Sequence, residues 1–190
     1  ILHRLVGSEM CIRDSLKKNV RNEKFLEFEK YCLQNLREYI NPKNLIVPEV
    51  IAYKNIQNVE ILLIDWIDMR NIEQKKLGKG LGEMHLNAAE SNPTMFGYQV
   101  EGFIGISNQK KGWENNWIDC FLNLRIIPQL LNLESNFLEK ATIKKVKEKI
   151  QLELFNHKPI NTLVHGDLWS GNVGMDKNGK GVIFDPASWW

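Results

Sequence analysis

The sequence has little that would place it in a membrane, in an oxidising compartment or on a nucleic acid. Its longest aliphatic run, Ile61–Ile64, is far shorter than the ~20 residues that a transmembrane helix requires. The three cysteines, Cys11, Cys32 and Cys120, have no pairing pattern and no zinc-site spacing, which predicts buried thiols in a reducing cytoplasm. The net charge is only +2, and the Lys-rich stretch Glu139–Lys149 also carries acidic residues, so we expect no nucleic-acid or membrane partner.

The remaining composition is typical of one globular domain with a hydrophobic core, because 43% of the residues are hydrophobic and 25% are charged. The first 15 residues are the exception. Their stretch Ser8-Glu-Met-Cys-Ile-Arg-Asp-Ser15 resembles read-through of a sequencing adapter, so we expect residues 1–15 to take no part in the fold. The alternative is a genuine short N-terminal segment.

The functional signal is concentrated in His165-Gly-Asp-Leu-Trp-Ser-Gly-Asn172 and the later Asp185-Pro-Ala. Asp167 and Asn172 have the Asp-x4-Asn spacing of a kinase catalytic loop, in which the Asp orients the attacking hydroxyl and the Asn holds a magnesium ion. Asp185 would be the second metal ligand. Phosphoryl transfer requires magnesium ions on oxygen ligands beside a base for the acceptor hydroxyl, and these residue types meet that requirement.

The dipeptide Asn178-Gly179 predicts a β-hairpin between this loop and Asp185, because a type I′ turn needs positive φ at both central positions. A two-residue turn would pair 173 with 184, 175 with 182 and 177 with 180. One further step would place Asn172 opposite Asp185, about 4.5–5.5 Å away at Cα. The hairpin is therefore expected to bring both metal ligands into one site. The alternative interpretation is a polar turn at His165 followed by unrelated loop residues.

These motifs resemble the fructosamine kinases (ketosamine 3-kinases), a branch of the aminoglycoside-phosphotransferase and choline-kinase group. The insert Trp169-Ser170-Gly171 distinguishes this family from the wider group, which shares only the His-Gly-Asp and Asn frame. The resemblance covers nearly everything from about residue 17 to the end. Further stretches that resemble the family are Val47-Pro48-Glu49-Val50, Leu63-Ile-Asp-Trp-Ile-Asp-Met-Arg70, Leu77-Gly78 with Met84-His85-Leu86, Phe96-Gly97-Tyr98, Gly102-Phe-Ile-Gly105, and Trp113, Trp117, Phe121 and Arg125.

Hydrophobic periodicity and turn residues give a coarse order of elements. Helices are predicted at 23–39, 74–86, 113–133 (interrupted by Pro128) and 141–155, strands at 60–67 and 162–164, and a long glycine-rich loop at 91–112. Together with the resemblance, this order predicts the fold class α+β, a bilobal protein-kinase-like fold with an incomplete small lobe and a mainly helical large lobe. We assign 16–68 to the N-terminal nucleotide-binding lobe, which ends in the hinge, and 69–190 to the C-terminal catalytic lobe.

The resemblance also implies how ATP would be held. Asp65-Trp66-Ile67 would be the hinge tripeptide, which contacts adenine through its backbone. Lys17 resembles the family's phosphate-binding lysine, and Glu29 resembles the helix glutamate that orients that lysine. Lys18 remains the alternative to Lys17.

The function that follows is an ATP- and Mg²⁺-dependent cytoplasmic kinase that phosphorylates a sugar hydroxyl of a free or protein-bound ketosamine, as in protein deglycation. The resemblance implies that Asp167 is the base and that Asn172 and Asp185 are the metal ligands. The catalytic-loop scaffold or substrate contacts would be His165, Trp169 and Ser170, with His165 bracing the loop.

Two alternatives remain open at this point. One is an aminoglycoside or choline kinase, against which the Trp-Ser-Gly insert argues. The other is a non-catalytic nucleotide-binding fragment, because the family's glycine-rich loop before the lysine and its Tyr-Gly-His-x-Glu-type segment after Asp-Pro-Ala have no counterpart here. For that reason we expect the 190-residue chain alone to be inactive.

Overall fold

The structure of the protein is a computed structural model. It describes residues 5–6, 14–19, 24–70, 73–91, 93–105, 107–134 and 140–190. The described helices are α1 (Phe25–Tyr39), α2 (Gln74–Glu90), α3 (Trp117–Asp119), a π-helix (Cys120–Ile126), α4 (Ile127–Glu134) and α5 (Lys140–Leu154). The described strands are β1 (Leu5–Val6), β2 (Asp14–Asn19), β3 (Leu45–Ile46), β4 (Val50–Ile56), β5 (Val59–Asp65), β6 (Met69–Arg70), β7 (Phe96–Tyr98), β8 (Gly102–Ile104), β9 (Ser107–Gln109), β10 (Gly112–Glu114), β11 (Val173–Asp176) and β12 (Gly181–Ile183).

The first sheet is antiparallel, has the strand order β1-β2-β5-β4, and packs against α1. Because side chains alternate along a strand, Glu60, Leu62 and Ile64 of β5 share the buried face. Helix α1 contributes the fully buried Leu33 and Leu36 to the same hydrophobic core. Helix α1 is therefore held by its apolar side, as its periodicity predicts.

Four residues of the excluded N-terminal segment lie in strands of this sheet. Leu5–Val6 pairs with β2, and Asp14 and Ser15 extend β2 along β5. The expectation that residues 1–15 take no part in the fold is therefore wrong for these four. Residues 1–4 and 7–13 lie outside the described residues, and the origin of the segment stays a prediction.

The second sheet has the order β3-β12-β11-β6 and contains the predicted catalytic hairpin, which consists of β11 and β12. Its outer strands come from earlier in the chain, since β3 pairs in parallel with β12 and β6 pairs antiparallel with β11. One core cluster includes Leu62 of the first sheet together with Ile183 of the second and Met84 of α2. The two sheets thus share a core. Strand β3 belongs to the assigned N-terminal lobe but pairs with β12 of the assigned C-terminal lobe. The boundary between the two lobes stays a prediction.

The prediction of a long loop at 91–112 is wrong. Its described residues form two short antiparallel pairs, β7 with β10 and β8 with β9. The glycines that suggested a loop permit close strand contact: a Cβ on Gly97, at φ +139°, would overlap the carbonyl oxygen of Gly112. A glycine-rich sequence is thus also compatible with tightly paired strands.

Pro128 does not interrupt the helix that contains it. The helical segment begins at Trp117 and continues through the π-helix into α4. Pro128 has no N–H to donate to the carbonyl of Leu124, and the Arg125 Nη1 donates to that carbonyl at 3.0 Å instead. The predicted strand at 162–164 is reduced to one bridged residue, Val164, opposite Trp189.

Two of the three cysteines are described, and both are buried and free, as predicted. Burial raises the pKa of Cys32 to about 12 and that of Cys120 to about 11, so both thiols stay protonated at neutral pH. Cys11 lies outside the described residues. In the described ranges, no helix combines the length and apolar composition needed to cross a bilayer.

Candidate active site

The hairpin that carries the catalytic motifs has a register one residue away from the predicted one. Val173 pairs with Ile183 and Met175 with Gly181. Beyond the strands, the carbonyl of Asn172 accepts a hydrogen bond from the N–H of Phe184 at 3.1 Å. The predicted pairs 173–184, 175–182 and 177–180, and the opposition of Asn172 to position 185, are therefore wrong.

The register differs because the turn contains three residues instead of two. The N–H of Gly179 donates to the carbonyl of Asp176 at 3.1 Å, and the N–H of Asp176 donates to the carbonyl of Lys180 at 2.9 Å. Gly179 has a left-handed φ of +78°, whereas Asn178 does not, although a type I′ turn would require it of both. The Asp176 carboxylate also accepts hydrogen bonds from the N–H groups of Asn178 and Lys180 at 2.9 and 2.8 Å, which stabilises the longer turn.

Asp185 leaves the hairpin in a left-handed backbone conformation, with φ +55°. The alternation of side chains along the strand ends at this residue, so strand pairing does not determine where its carboxylate lies. The carboxylate forms an ion pair with the ammonium group of Lys17 in β2. The residue that follows the hairpin, Asp185, therefore contacts the first sheet through Lys17.

Lys17 joins two carboxylates from distant parts of the chain. Its ammonium group lies 2.5 Å from Glu29 Oε1 of α1 and also contacts Asp185. Lys17 and Glu29 are each only 8% exposed, whereas Lys18 is exposed, because neighbouring residues of β2 point to opposite faces. Of the two lysines that the sequence left open, Lys17 is the one that lies between the candidate site carboxylates.

A cleft of about 140 Å³ extends from Lys17 and Asp185 to the segment that follows β5. The predicted hinge residues Asp65, Trp66 and Ile67 also line it. The other five residues that line the cleft are apolar: Pro48, Ile64, Met69, Val182 and Phe184. All five residues assigned to ATP by the resemblance are thus at this cleft or, for Glu29, in contact with Lys17 at its edge.

Asp65 fixes the strand end beside this cleft. Its N–H donates to the carbonyl of Glu49 at 3.0 Å, and its carboxylate accepts a hydrogen bond from the N–H of Glu49. Burial raises the pKa of the Asp65 carboxyl group. This side chain is therefore bound to the neighbouring strand segment.

His165 braces the catalytic loop through both ring nitrogens. Nε2 lies 3.0 Å from the carbonyl oxygen of Phe184, and Nδ1 lies 3.3 Å from the N–H of Asp167. A carbonyl can only accept and a backbone N–H can only donate, so Nε2 carries the proton and the ring is neutral. Burial lowers the pKa of His165, in agreement with that form. These contacts fit the scaffold role.

Asp167 and Asn172 are joined to each other at the surface of the loop. The buried Asn172 donates through Nδ2 to the backbone carbonyl of Asp167 at 2.9 Å and to its Oδ2 at 3.1 Å. Asp167 is exposed, and these bonds do not use its Oδ1 or the Oδ1 of Asn172. One carboxylate oxygen and one amide oxygen therefore remain for ligands.

Trp169 and Ser170 are also exposed beside Asp167, and Trp169 has 60% of its surface accessible. The Trp169 indole folds back over Gly171, where any Cβ would overlap the ring. Neither residue lines the cleft next to Lys17. Their predicted contact with the substrate stays a prediction.

The glycine of the His-Gly-Asp motif is required by a close backbone contact. Gly166 has φ +83°, and a Cβ at this position would overlap the carbonyl oxygen of Ala187, two residues after Asp185. The N–H of Ala187 also donates to the carbonyl of His165 at 2.9 Å. The loop and the Asp-Pro-Ala segment therefore pack backbone against backbone.

We expect Gly166→Ala to lower the free energy of unfolding by about 2–4 kcal/mol, because it adds overlap to about 1–2 kcal/mol of left-handed strain. Urea unfolding of the 190-residue chain measures this loss. Gly105→Ala is the matched control, since Gly105 has φ +58° but no atom within 4 Å of an added Cβ. Equal losses in both variants would show that the contact with Ala187 contributes nothing.

Two features of the structure were not found from the sequence. Trp189 stacks on Trp117 with ring centres 5.0 Å apart, and the Arg125 guanidinium lies 5.1 Å from the Trp189 ring. The other is Glu60, a buried carboxylate on β5. The burial of Glu60 could have been predicted, because the alternation of side chains along a strand places it on the same face as Leu62.

Only two metal ligands, Asn172 and Asp185, were predicted from the sequence. Within the described ranges there is no group of three or more His, Cys, Asp or Glu side chains that could hold a metal ion. Asn172 and Asp185 offer oxygen donors only, which suit Mg²⁺ and not zinc. With two protein oxygens, a magnesium ion would need further ligands from phosphate and water, as is usual for nucleotide sites.

Comparison with known proteins agrees with this geometry. The sequence profile of the fructosamine kinase family matches residues 15–190. The chain is 26% identical over 175 residues to a probable ketoamine kinase of Vibrio vulnificus, covering 90% of this chain and 59% of that protein. It is 34% identical over 134 residues to the chloroplastic protein-ribulosamine 3-kinase of Arabidopsis thaliana, covering 68% of this chain and 40% of that protein. The chain thus spans about half the length of these relatives.

Solved structures share the fold. A candidate fructosamine-3-kinase from Haemophilus somnus superposes with a TM-score of 0.80 at 21% identity, covering 100% of this chain and 66% of that one. The aminoglycoside phosphotransferase APH(4)-Ia, as a thermostable mutant, gives a TM-score of 0.60 at 15% identity over 100% of this chain and 68% of that one. The predicted α+β, kinase-like fold is therefore confirmed. With the profile matched over nearly its whole length, this chain belongs to the fructosamine kinase family.

Proposed function

We propose that the protein transfers the γ-phosphate of ATP to a sugar hydroxyl of a ketosamine. The observation that carries this proposal is the position of Lys17, which pairs with Glu29 and Asp185 at the edge of a cleft that reaches the hinge residues. A cationic group on the nucleotide phosphates, oriented by a helix glutamate, is the arrangement that kinases use.

The cleft provides the nucleotide side of the reaction. Its apolar walls suit a purine base, and the backbone of Asp65-Trp66-Ile67 offers the polar groups that would orient the base. Lys17 would contact the phosphates at the opposite end. Glu29 restrains the Lys17 side chain, so less rotamer entropy is lost when the phosphates bind.

Asn172 and Asp185 would hold the magnesium ion through their oxygen atoms. Bound there, Mg²⁺ would neutralise charge on the transferring phosphoryl group. The protein's contribution is to fix both oxygens. Asn172 is held by the oxygens of Asp167, and Asp185 is held by its left-handed backbone and by Lys17.

Asp167 would accept the proton of the acceptor hydroxyl. Its Oδ2 is bound by Asn172 and its N–H by His165, so its Oδ1 is the oxygen left to contact the substrate. His165 itself is neutral and buried beneath the loop, which excludes it from direct contact with the hydroxyl. Trp169 and Ser170 lie beside Asp167, where the rest of the substrate would bind.

The ketosamine class is supported by the names of the relatives, which include a ketoamine kinase and a ribulosamine 3-kinase. The substrate could be a small molecule or a sugar adduct on a protein, and the low cysteine content supports a cytoplasmic site of action. The likeness to an aminoglycoside phosphotransferase shows a shared fold only. It gives no reason to propose an aminoglycoside as the substrate of this protein.

The test is a substrate panel with the full-length gene product that contains this chain. With ATP and Mg²⁺, we expect phosphate transfer to a fructosamine such as fructosyl-lysine, and at least a hundredfold lower kcat/KM with hygromycin B or choline. Transfer to hygromycin B or choline alone would assign the protein to another branch. ATP binding without transfer to any acceptor would favour a non-catalytic role.

A further inference from the structure

Helix α1, which carries Glu29, has no N-cap of its own. Its N-cap residue, Lys24, makes no side-chain capping hydrogen bond. The first backbone N–H groups of a helix have no partner within the helix and need one from elsewhere. Here the N–H of Leu26 donates to Glu60 Oε2 at 3.2 Å, and the N–H of Glu27 donates to Glu60 Oε1 at 3.0 Å.

Glu60 is an unusual capping residue because it lies on a strand, 34 residues beyond Leu26, and is only 1% exposed. A buried carboxylate requires several donors, since desolvation of a charge is costly. Tyr53 of β4 supplies another by donating its hydroxyl to Glu60 Oε1 at 2.8 Å. The positive end of the helix dipole also favours the negative charge. Glu60 thus ties β4, β5 and α1 together.

The same strand pairing places Glu60 close to the lysine that contacts Glu29. In the antiparallel pairing of β2 with β5, Asn19 is opposite Glu60 and Lys17 is opposite Leu62. Opposed residues of an antiparallel pair point to the same face, so Lys17 and Glu60 both face α1. Glu29 lies within one helical turn of the capped residue Leu26. The start of α1 and the Lys17–Glu29 contact therefore both depend on how α1 packs against β2 and β5.

We propose that Glu60 is a positioning residue that sets the Lys17–Glu29 ion pair by anchoring the first turn of α1 to β5. The relevance of this pair to catalysis rests on the proposed kinase function, but the anchoring itself does not. Loss of the carboxylate would free the first turn of α1, shift Glu29 away from Lys17 and leave Lys17 with Asp185 alone. Phosphate contacts would then be made by a less restrained lysine.

The first experiment reports on Lys17 without any enzymatic activity. The 190-residue chain is treated briefly with acetic anhydride, and acetylation of Lys17 is measured by mass spectrometry relative to the exposed Lys18. We expect Glu60→Gln to raise this ratio at least threefold, because the amide NH₂ replaces one of the two acceptor oxygens and leaves one of the two backbone N–H groups without its acceptor. Glu29→Gln is the positive control and should raise the ratio by a similar factor.

Ile143→Val is the matched control for a general loss of stability. Ile143 is buried in α5, outside the core cluster that includes α1. We expect it to destabilise the chain and leave the Lys17/Lys18 ratio unchanged. If Glu60→Gln fails to fold, Tyr53→Phe removes only one donor to Glu60 and should give a smaller increase in the ratio. An unchanged ratio in the folded variant would overturn the positioning role and leave Glu60 as a structural cap.

The second experiment tests the catalytic consequence in the full-length gene product. We expect Glu60→Gln to raise the KM for ATP about tenfold and to leave the KM for the ketosamine unchanged. A raised acetylation ratio in a protein without kinase activity would refute the proposed function but keep the anchoring role. Full kinase activity with an unchanged KM for ATP in Glu60→Gln would refute the positioning role and keep the function.

Discussion

Replacing Asp167 with Asn is expected to lower kcat for a ketosamine by about 10²–10⁴-fold in the full-length gene product, with little change in ATP binding. The substitution keeps the local structure, because an amide oxygen can still accept the hydrogen bond that Asn172 Nδ2 gives to Asp167 Oδ2. An amide cannot take up the proton of the acceptor hydroxyl. The loss should therefore fall on kcat, while the nucleotide contacts around Lys17 remain.

Steady-state kinetics and calorimetric titration with ATP measure the two effects separately. Glu153→Gln is a suitable control, since this carboxylate is exposed on α5 and pairs with the exposed Lys149. It should have no effect on either quantity. A kcat for Asp167→Asn within threefold of the unmodified protein would remove Asp167 from the role of base.

Asp185→Asn should instead weaken Mg²⁺-dependent ATP binding, by about 10–100-fold, as well as turnover. This estimate corresponds to about 1.5–2.8 kcal/mol for a lost interaction with a charged group. Asn is the appropriate replacement because it tolerates the left-handed φ of +55° at this position better than Ala would. The substitution also removes one of the two carboxylates that contact Lys17.

The measurement is the Kd for ATP with Mg²⁺ and again with a chelator. A role as metal ligand predicts that the loss is large with Mg²⁺ and small without it. Equal losses under both conditions would mean that Asp185 acts only by holding Lys17. If Asp167→Asn and Asp185→Asn showed the same modest loss, both role assignments would be wrong.

Local patterns in the sequence predicted the elements that position the site but not their alignment. The helix on which Glu29 lies and the two strands of the catalytic hairpin are present. The hairpin register was wrong because Asn178-Gly179 fits two turn types, and the Asp176 carboxylate stabilises the three-residue form. Side-chain bonds of this kind are set by competition between turns, which a dipeptide preference alone does not resolve.

Long-range contacts were the other missing part. Lys17 and Lys18 are adjacent lysines, so residue type alone does not distinguish them. The pairing of β2 with β5 determines which of the two faces α1. The close approach of Gly166 to Ala187 likewise depends on how two loops meet. Glu60 could have been noticed, because an acidic residue on the buried face of an apolar strand needs donors from another element.

A crystal structure of the full-length gene product with Mg²⁺ and a non-hydrolysable ATP analogue tests the central claim most directly. We predict that the adenine lies against the backbone of residues 65–67, that the phosphates contact Lys17, and that magnesium is bound by oxygens of Asn172 and Asp185. Asp167 should face the terminal phosphate. A nucleotide bound outside this cleft, or a terminal phosphate on the side away from Asp167, would contradict the account.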